Sequence, residues 1–356
     1  MWNRQSCLFT FQIMYITEIA TGEELKNWNQ LALRCQYSEA LHSIEWCNAL
    51  SCHFKQMMPL YLLIKDGKDD IVGIMPCFLF SPIPFIRTLL SMPWKLPGGP
   101  LFFSSIDTFS AVLSVSKKLD EISRKYHSYE TIITLPVQSE NGIHEGLVSS
   151  GYIVENKDFT HILDLRNGYE SVWNSYNKRV RGAVRKAQKM GVTVKETQNE
   201  KDMEGFYKLY LSMMDRFSST PKPHSMLRFL QTSSIAKLIV AYFEDRLIAG
   251  LLFIHFNKTV RLWVEASDPG YLNYRPNNAI IDYIIRWACN NGYSFVDFGA
   301  SPPENSGLIA FKEEWRAEKA WFYTYSRLYS AWKNKLWTML EPSMRRIYAT
   351  IQRLAI

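Results

Sequence analysis

The sequence predicts a mixed α/β (α+β) fold: two similar subdomains in tandem, mixed central sheets flanked by helices, and a C-terminal helix. The chain's 356 residues, 47% of them hydrophobic and 21% charged, are enough for one large core or two ordinary ones. Apolar runs of strand length alternate with helical periodicities along most of the chain. One order of elements also recurs. Leu60-Tyr-Leu-Leu-Ile, a charged turn and Ile71-Val-Gly-Ile-Met match Leu238-Ile-Val-Ala-Tyr-Phe, a charged turn and Leu247-Ile-Ala-Gly-Leu-Leu. Each hairpin leads to a helix and then an apolar strand, at 129–135 and 293–298. The expected division is 14–157, 158–326 and a helical tail, 327–356.

In the first half, 15–19 reads as a strand. Thr21, with Glu24 at capping-box spacing, starts a helix, and 42–54 reads as a second one. Strands at 60–64 and 71–80 flank the turn that begins at Lys65. Pro76, Pro82, Pro84, Arg87 and Pro93 interrupt 71–94, so it falls short of the roughly 18 apolar residues of a membrane span. Gly98 and Gly99 sit in a loop whose backbone can approach a ligand closely. Helices at 107–127 and 140–150 flank the strand 129–135. In the second half a long helix is expected over 169–190, stopped by Gly191. A strand at 192–195 and a helix at 202–216 follow, then strands at 237–243, 247–256 and 260–266. A helix at 278–290, a strand at 294–298, a short helix at 308–314 and a strand at 320–325 precede the tail.

The net charge of +7 suits an anionic ligand or an anionic membrane surface. Six cysteines without a Cys-x-x-Cys pair point to a reduced, cytoplasmic protein with no zinc site. The apolar stretch 8–16 imitates a signal peptide weakly, no small-residue cleavage site follows it, and Met14 offers a second start. The tail mixes Trp332, Trp337 and Tyr348 with Lys335, Arg345 and Arg346, a composition shared by interfacial helices and by helices packed back on their own domain. Peripheral membrane contact through this tail is therefore an open expectation. No Walker A loop, Gly-x-Ser-x-Gly elbow or His-Glu-x-x-His pair occurs. Asp297-Phe-Gly lacks the glycine-rich loop and His-Arg-Asp segment of a kinase.

Chemistry is suggested at three places. Lys178, Arg181, Arg185 and Lys189 form a basic row on one helix face, in a stretch from Ser171 to Lys195 without an acid. One sign along a face repels itself, so either solvent or a bound anion compensates it. The loop from Ser267 to Ala279 leads from a strand into a helix, with Asn277 or Asn278 as cap and Arg275 beside it. Free N–H groups there suit a phosphate. Asp297 ends a strand, where ligand-facing side chains concentrate in α/β sheets. Lys312 follows a Gly/Ser/Pro loop, placed for either a cleft or a structural ion pair.

Five segments carry a resemblance. They are Phe159-Thr-His-Ile-Leu-Asp-Leu165, Arg181-Gly-Ala-Val-Arg-Lys-Ala-Gln-Lys-Met-Gly-Val192, the strand pair around 244–250, Pro276-Asn-Asn-Ala279, and Gly292 to Gly299 continued by Gly307-Leu-Ile-Ala-Phe-Lys-Glu-Glu-Trp315. In this order they resemble the Fem-like branch of the GNAT acyltransferase superfamily, most clearly over 160–325. The resemblance implies two GNAT-like subdomains and transfer of an acyl or aminoacyl group to an amine, with Lys312 at the developing oxyanion. Arg181 and Arg185 would meet donor or acceptor phosphates. Arg275, Asn277 and Asn278 would stand near the acyl donor, and Asp297 would orient or deprotonate the amine. Two departures matter: the Gln/Arg-x-x-Gly-x-Gly/Ala pyrophosphate loop is absent, and so is a pair of long inserted helices. The expectation is an N-acyltransferase with no resident cofactor or metal, using acyl-CoA as co-substrate. Its acceptor would be an amine-bearing small molecule or sugar nucleotide from cell-envelope or polysaccharide synthesis. An aminoacyl-tRNA-dependent peptidoglycan cross-bridge transferase and a non-enzymatic nucleic-acid or membrane binder are the alternatives.

Overall fold

The computed structural model describes residues 14–103 and 106–354, so most of the apolar stretch 8–16 and Cys7 lie outside the described residues. The first half contains β1 (Ile16–Ile19), α1 (Glu23–Lys26), α2 (Trp28–Arg34), α3 (Ile44–His53), β2 (Met57–Lys65), β3 (Ile71–Ile83), β4 (Ile86–Leu90), β5 (Leu101–Phe102), α4 (Thr108–Tyr126), β6 (Glu130–Thr134) and α5 (Asn141–Ser149), and closes with β7 (Ile153–Asp164). The second contains α6 (Gly168–Ser175), α7 (Lys178–Lys189), β8 (Val192–Thr197), α8 (Glu200–Arg216), α9 (His224–Gln231), β9 (Ala236–Phe243), β10 (Arg246–Phe256), β11 (Thr259–Ser267), α10 (Pro276–Asn290), β12 (Phe295–Ala300), α11 (Ser306–Glu314), β13 (Glu318–Leu328) and α12 (Ala331–Leu354).

Local chemistry sets many of these boundaries. Ser43 caps α3 by accepting from the Trp46 amide at 3.2 Å, and Asp107 caps α4 through the Ser110 amide at 3.2 Å. The β2–β3 turn closes on the Asp66 carboxylate, which accepts from the amides of Lys68 and Asp70. The expected helix over 169–190 is instead two, α6 and α7. Asn177 breaks it: its side chain caps α7 through the Arg179 amide, and its own amide bonds the Glu314 carbonyl. A helix-period pattern on both sides hid a cap in the middle. The expected Asn277 or Asn278 cap of α10 is also corrected. Arg275, at φ 61°, holds the cap position, Pro276 is the first helical residue, and both asparagines lie in the first turn. Strand β4, in the proline-interrupted region, and helix α9 were not expected.

The sheets of the two halves are one. Its 13 strands run β1-β2-β3-β4-β6-β13-β7-β12-β11-β10-β9-β8, with β5 paired to β3. Read from either edge inward, the two halves present the same succession. An antiparallel set ends in a parallel pair, β4 with β6 and β11 with β12. The final strands are exchanged at the centre: β13 pairs with β6 of the first half, and β7 pairs with β12 of the second. The expected boundary at 157/158 thus falls within β7.

Three apolar clusters result. One packs α4 and α5 on the first half, through Val115, Leu119 and Leu147 against Ile64 and Met75. A second packs α7 and α10 on the other half, through Val184 and Ile284 against Ile239 and Leu251. The third is shared: Trp28 and Trp46 of the first half join Phe206, Leu230 and Val240 of the second.

Candidate active site

Strands β11 and β12 are paired only from Thr259–Phe295 to Arg261–Asp297. Two residues later the β10–β11 register skips Trp263, a bulge that turns the rest of β11. Both strands then continue, β11 to Ser267 and β12 to Ala300, with no further pairing between them. The parallel pair therefore opens, and charged groups gather at the opening.

Arg261 is at the base of the gap and is buried. Its guanidinium donates to Glu39 at 2.7 and 2.8 Å and pairs with Asp297 at 2.8 Å. The second Asp297 oxygen accepts from the Gly299 amide at 2.7 Å and from the Thr160 hydroxyl of β7. Burial raises the Glu39 carboxyl above its ordinary value, opposed by Arg261.

Lys312 comes from α11 and is 5% exposed. Its ammonium donates to the carbonyls of Gly299 at 2.6 Å and Ala300 at 3.2 Å, where β12 ends. An ammonium has three donors, so one remains for a ligand. Burial lowers its pKa to about 8; Asp297 and Glu265 act against this shift, and Arg261 adds to it. Glu265, on β11, keeps solvent access but stands among enough protein that desolvation raises its pKa, with Lys312 opposing. A lysine that gives up its proton near pH 8 and a carboxyl that keeps one longer than usual are therefore neighbours at the gap.

The α11 segment is anchored for this purpose. Asn305 caps it through the Leu308 amide at 3.0 Å. Trp315, fully buried, packs edge-on against Tyr176 with ring centres 5.0 Å apart, and it also touches Phe298 and Phe311. These rings hold the helix so that Lys312 turns toward the end of β12.

Of the residues singled out from the sequence, Lys312 and Asp297 meet here. Arg275, Asn277 and Asn278 form the start of α10, just beyond the end of β11, and the Asn277 amide reaches the Ser267 hydroxyl at 3.4 Å. Arg181 is held by the carbonyls of Asn174 and Tyr176, at 2.8 and 2.7 Å, where it ties α7 to the end of α6. Arg185 lies 5.7 Å from the Trp173 ring centre. The site residues that sequence reasoning missed are Arg261, Glu265, Glu39 and Thr160. Arg261 and Glu265 did leave a signal, as charges inside an apolar strand. Glu39 left none, since its partner is 222 positions away.

A second hollow lies elsewhere. A cleft of 1220 Å³ lies over the other parallel pair, β4 and β6, between Leu90 and Ile132 on the sheet and α12 above them. Lys222 lines it, 3.9 Å from the Trp94 ring centre, with burial lowering its pKa to about 8. Lys222 is also 5.7 Å from the ring of Trp263, the bulge residue between Arg261 and Glu265, so this cleft borders the strand that carries the charged gap. Among the described residues no group of His, Cys, Asp and Glu is arranged to hold a metal ion.

Residues 174–313 match the acetyltransferase (GNAT) domain family, a span running from the end of α6 through Lys312. No curated protein matches the sequence. Among solved structures the chain is similar to FemX, at 14% identity and a TM-score of 0.71, covering 91% of this chain and 99% of that one. It is similar to L-PGS from Bacillus licheniformis at 13% identity and a TM-score of 0.56, covering 94% and 96%. It is similar to a tandem GNAT protein from the clavulanic acid biosynthesis pathway at 12% identity and a TM-score of 0.54, covering 90% and 99%. At such identities the likeness concerns the fold, and the fold is the tandem arrangement that the repeat implied.

Proposed function

Because this chain carries a GNAT acetyltransferase domain in a Fem-like tandem fold, we propose that it is an N-acyltransferase moving an acyl group from acyl-CoA to an amine of a cell-envelope or polysaccharide precursor. The observation that carries the reading is Lys312: a buried ammonium, fixed by two carbonyls, with one donor unspent at the opening of β11 and β12.

In this reading the acceptor amine attacks the acyl carbon, a C–N bond forms, and the carbonyl oxygen becomes an oxyanion. Lys312 places its remaining N–H and its charge there. Glu265, with its raised pKa, takes the proton that the amine sheds. The C–S bond then breaks and the thiolate leaves to be protonated by solvent. Asp297 has both oxygens engaged by Arg261, Thr160 and Gly299. It therefore positions Arg261 and the Gly299–Ala300 turn that holds Lys312, rather than accepting a proton. The start of α10, with exposed Arg275, suits the phosphates of the donor.

The absent pyrophosphate loop favours a second reading, in which aminoacyl-tRNA is the donor. A panel of labelled acyl-CoAs and charged tRNAs, each offered with amino sugars and sugar nucleotides, separates the two. Lys312→Ala is expected to lower kcat by about 10²–10³-fold while the protein stays folded. Full activity in that variant defeats the assignment. Transfer from charged tRNA alone moves it to the second reading.

A further inference from the structure

Helix α12 has 24 residues, and its apolar side chains divide between two faces. The inward face is settled. Trp337 packs edge-on against Phe80 with ring centres 6.2 Å apart, Tyr348 stacks on Phe54 at 6.2 Å, and Ala349 is buried. The outward face should then be polar, and it is not. Trp332 (64% exposed), Leu336, Met339 (70%), Leu340, Ile347 and Ile351 recur at spacings of three, four and seven on one face, on either side of Pro342 and Ser343. Single exposed apolar residues need no account, but a stripe along a whole helix marks a surface that something covers.

Charge says what covers it. Exposed Lys335 and Arg346 lie along one edge of the stripe. The one acid of the helix, Glu341, faces inward, where it pairs with Arg345 and lines the large cleft. The outward surface of the helix is therefore apolar and edged by Lys335 and by Arg346, which also reaches the rim of the cleft, on a chain of net charge +7. A second copy of the chain would bring the same cations, Lys335 and Arg346, to the border of its own stripe, so like charges would meet across the contact. An anionic bilayer offers both parts of the complement: acyl chains for the stripe and headgroup charge for its edge. No helix among the described residues is long and apolar enough to cross a membrane, which leaves lying in the interface as the mode of contact.

We propose that the outward face of α12 docks on an anionic lipid surface. The helix lies parallel to the membrane with Trp332, Leu336, Met339 and Ile347 in the headgroup–acyl boundary. Its other face roofs the 1220 Å³ cleft, so docking brings that cleft within about one helix diameter, ~10 Å, of the headgroups.

The test is flotation of the full chain with vesicles of phosphatidylcholine, with and without phosphatidylglycerol, alongside light scattering of the protein alone. The native chain is expected to float with the phosphatidylglycerol vesicles, to stay largely unbound with phosphatidylcholine, and to be released by high salt. The double variant Leu336→Ser with Ile347→Ser, and separately Lys335→Glu with Arg346→Glu, should each weaken binding about tenfold or more. All four side chains are exposed, and an unchanged melting temperature separates lost binding from unfolding. Failure of the native chain to bind anionic vesicles, or equal binding by the serine double variant, overturns the proposal. A dimer that the serine variant dissociates, with no vesicle binding, gives the face to a second copy. None of these readouts depends on acyl transfer, so they stand or fall apart from the proposed activity.

Discussion

A lysine ammonium taken out of water loses hydration that two carbonyls and a distant carboxylate only partly replace, and Lys312 shows the result in a pKa lowered to about 8. Rate and stability should respond in opposite directions. In the proposed acyl transfer the charge on Lys312 faces the oxyanion, so the native rate relative to Lys312→Arg, which keeps its charge throughout, is expected to fall as pH rises through about 8. For stability, the folded pKa lies below the ordinary 10.5. Between those values the unfolded chain binds more protons, so this group's penalty on the fold fades as pH rises. Urea unfolding of native protein and Lys312→Met across that window checks the sign: only the native protein should gain from this group. Lys312 and Asp297 were legible because they sit in one segment with a recognisable order of strand, loop and helix. Glu39 and Arg261 were not, because their bond joins a loop near the start of the chain to a strand far along it, and no local period records such a pairing.

The hairpin repeat marks where the backbone has no room to spare. Gly73 in β3 and Gly250 in β10 are the glycines that the two copies share. A Cβ on Gly73 would lie 2.7 Å from the Leu101 carbonyl of β5, and one on Gly250 would lie 2.5 Å from the ring of the fully buried Phe206. Backbone yields less easily than a side chain, so Gly73→Ala is expected to destabilise by about 1–3 kcal/mol through overpacking. A melting temperature equal to the native one would show that β5 can move aside. The hairpins could be read because their strand periods and charged turns are local. The split of α6 from α7 could not, since the Asn177 cap is completed by Glu314 from another part of the chain.

Exchange of β7 and β13 makes the halves interdependent. Each final strand takes its hydrogen bonds from the other half, and the cluster around Trp28, Trp46 and Phe206 belongs to both. Calorimetry is therefore expected to show one cooperative transition, with calorimetric and van't Hoff enthalpies in agreement. Two resolved transitions would mean that the halves fold independently despite the shared sheet.

Periodicity, turn chemistry and capping residues in the sequence determined that this chain alternates strands and helices, that it does so twice, and that a lysine follows the last loop before its final strand. These depend on neighbours a few residues apart, and such neighbours are written side by side. Tertiary structure alone decided that the last strands cross over, that Glu39 and Arg261 lie beneath Lys312, and that α12 turns one apolar face inward and another outward. Those outcomes depend on which distant surfaces bury one another, and burial is a property of the assembled chain.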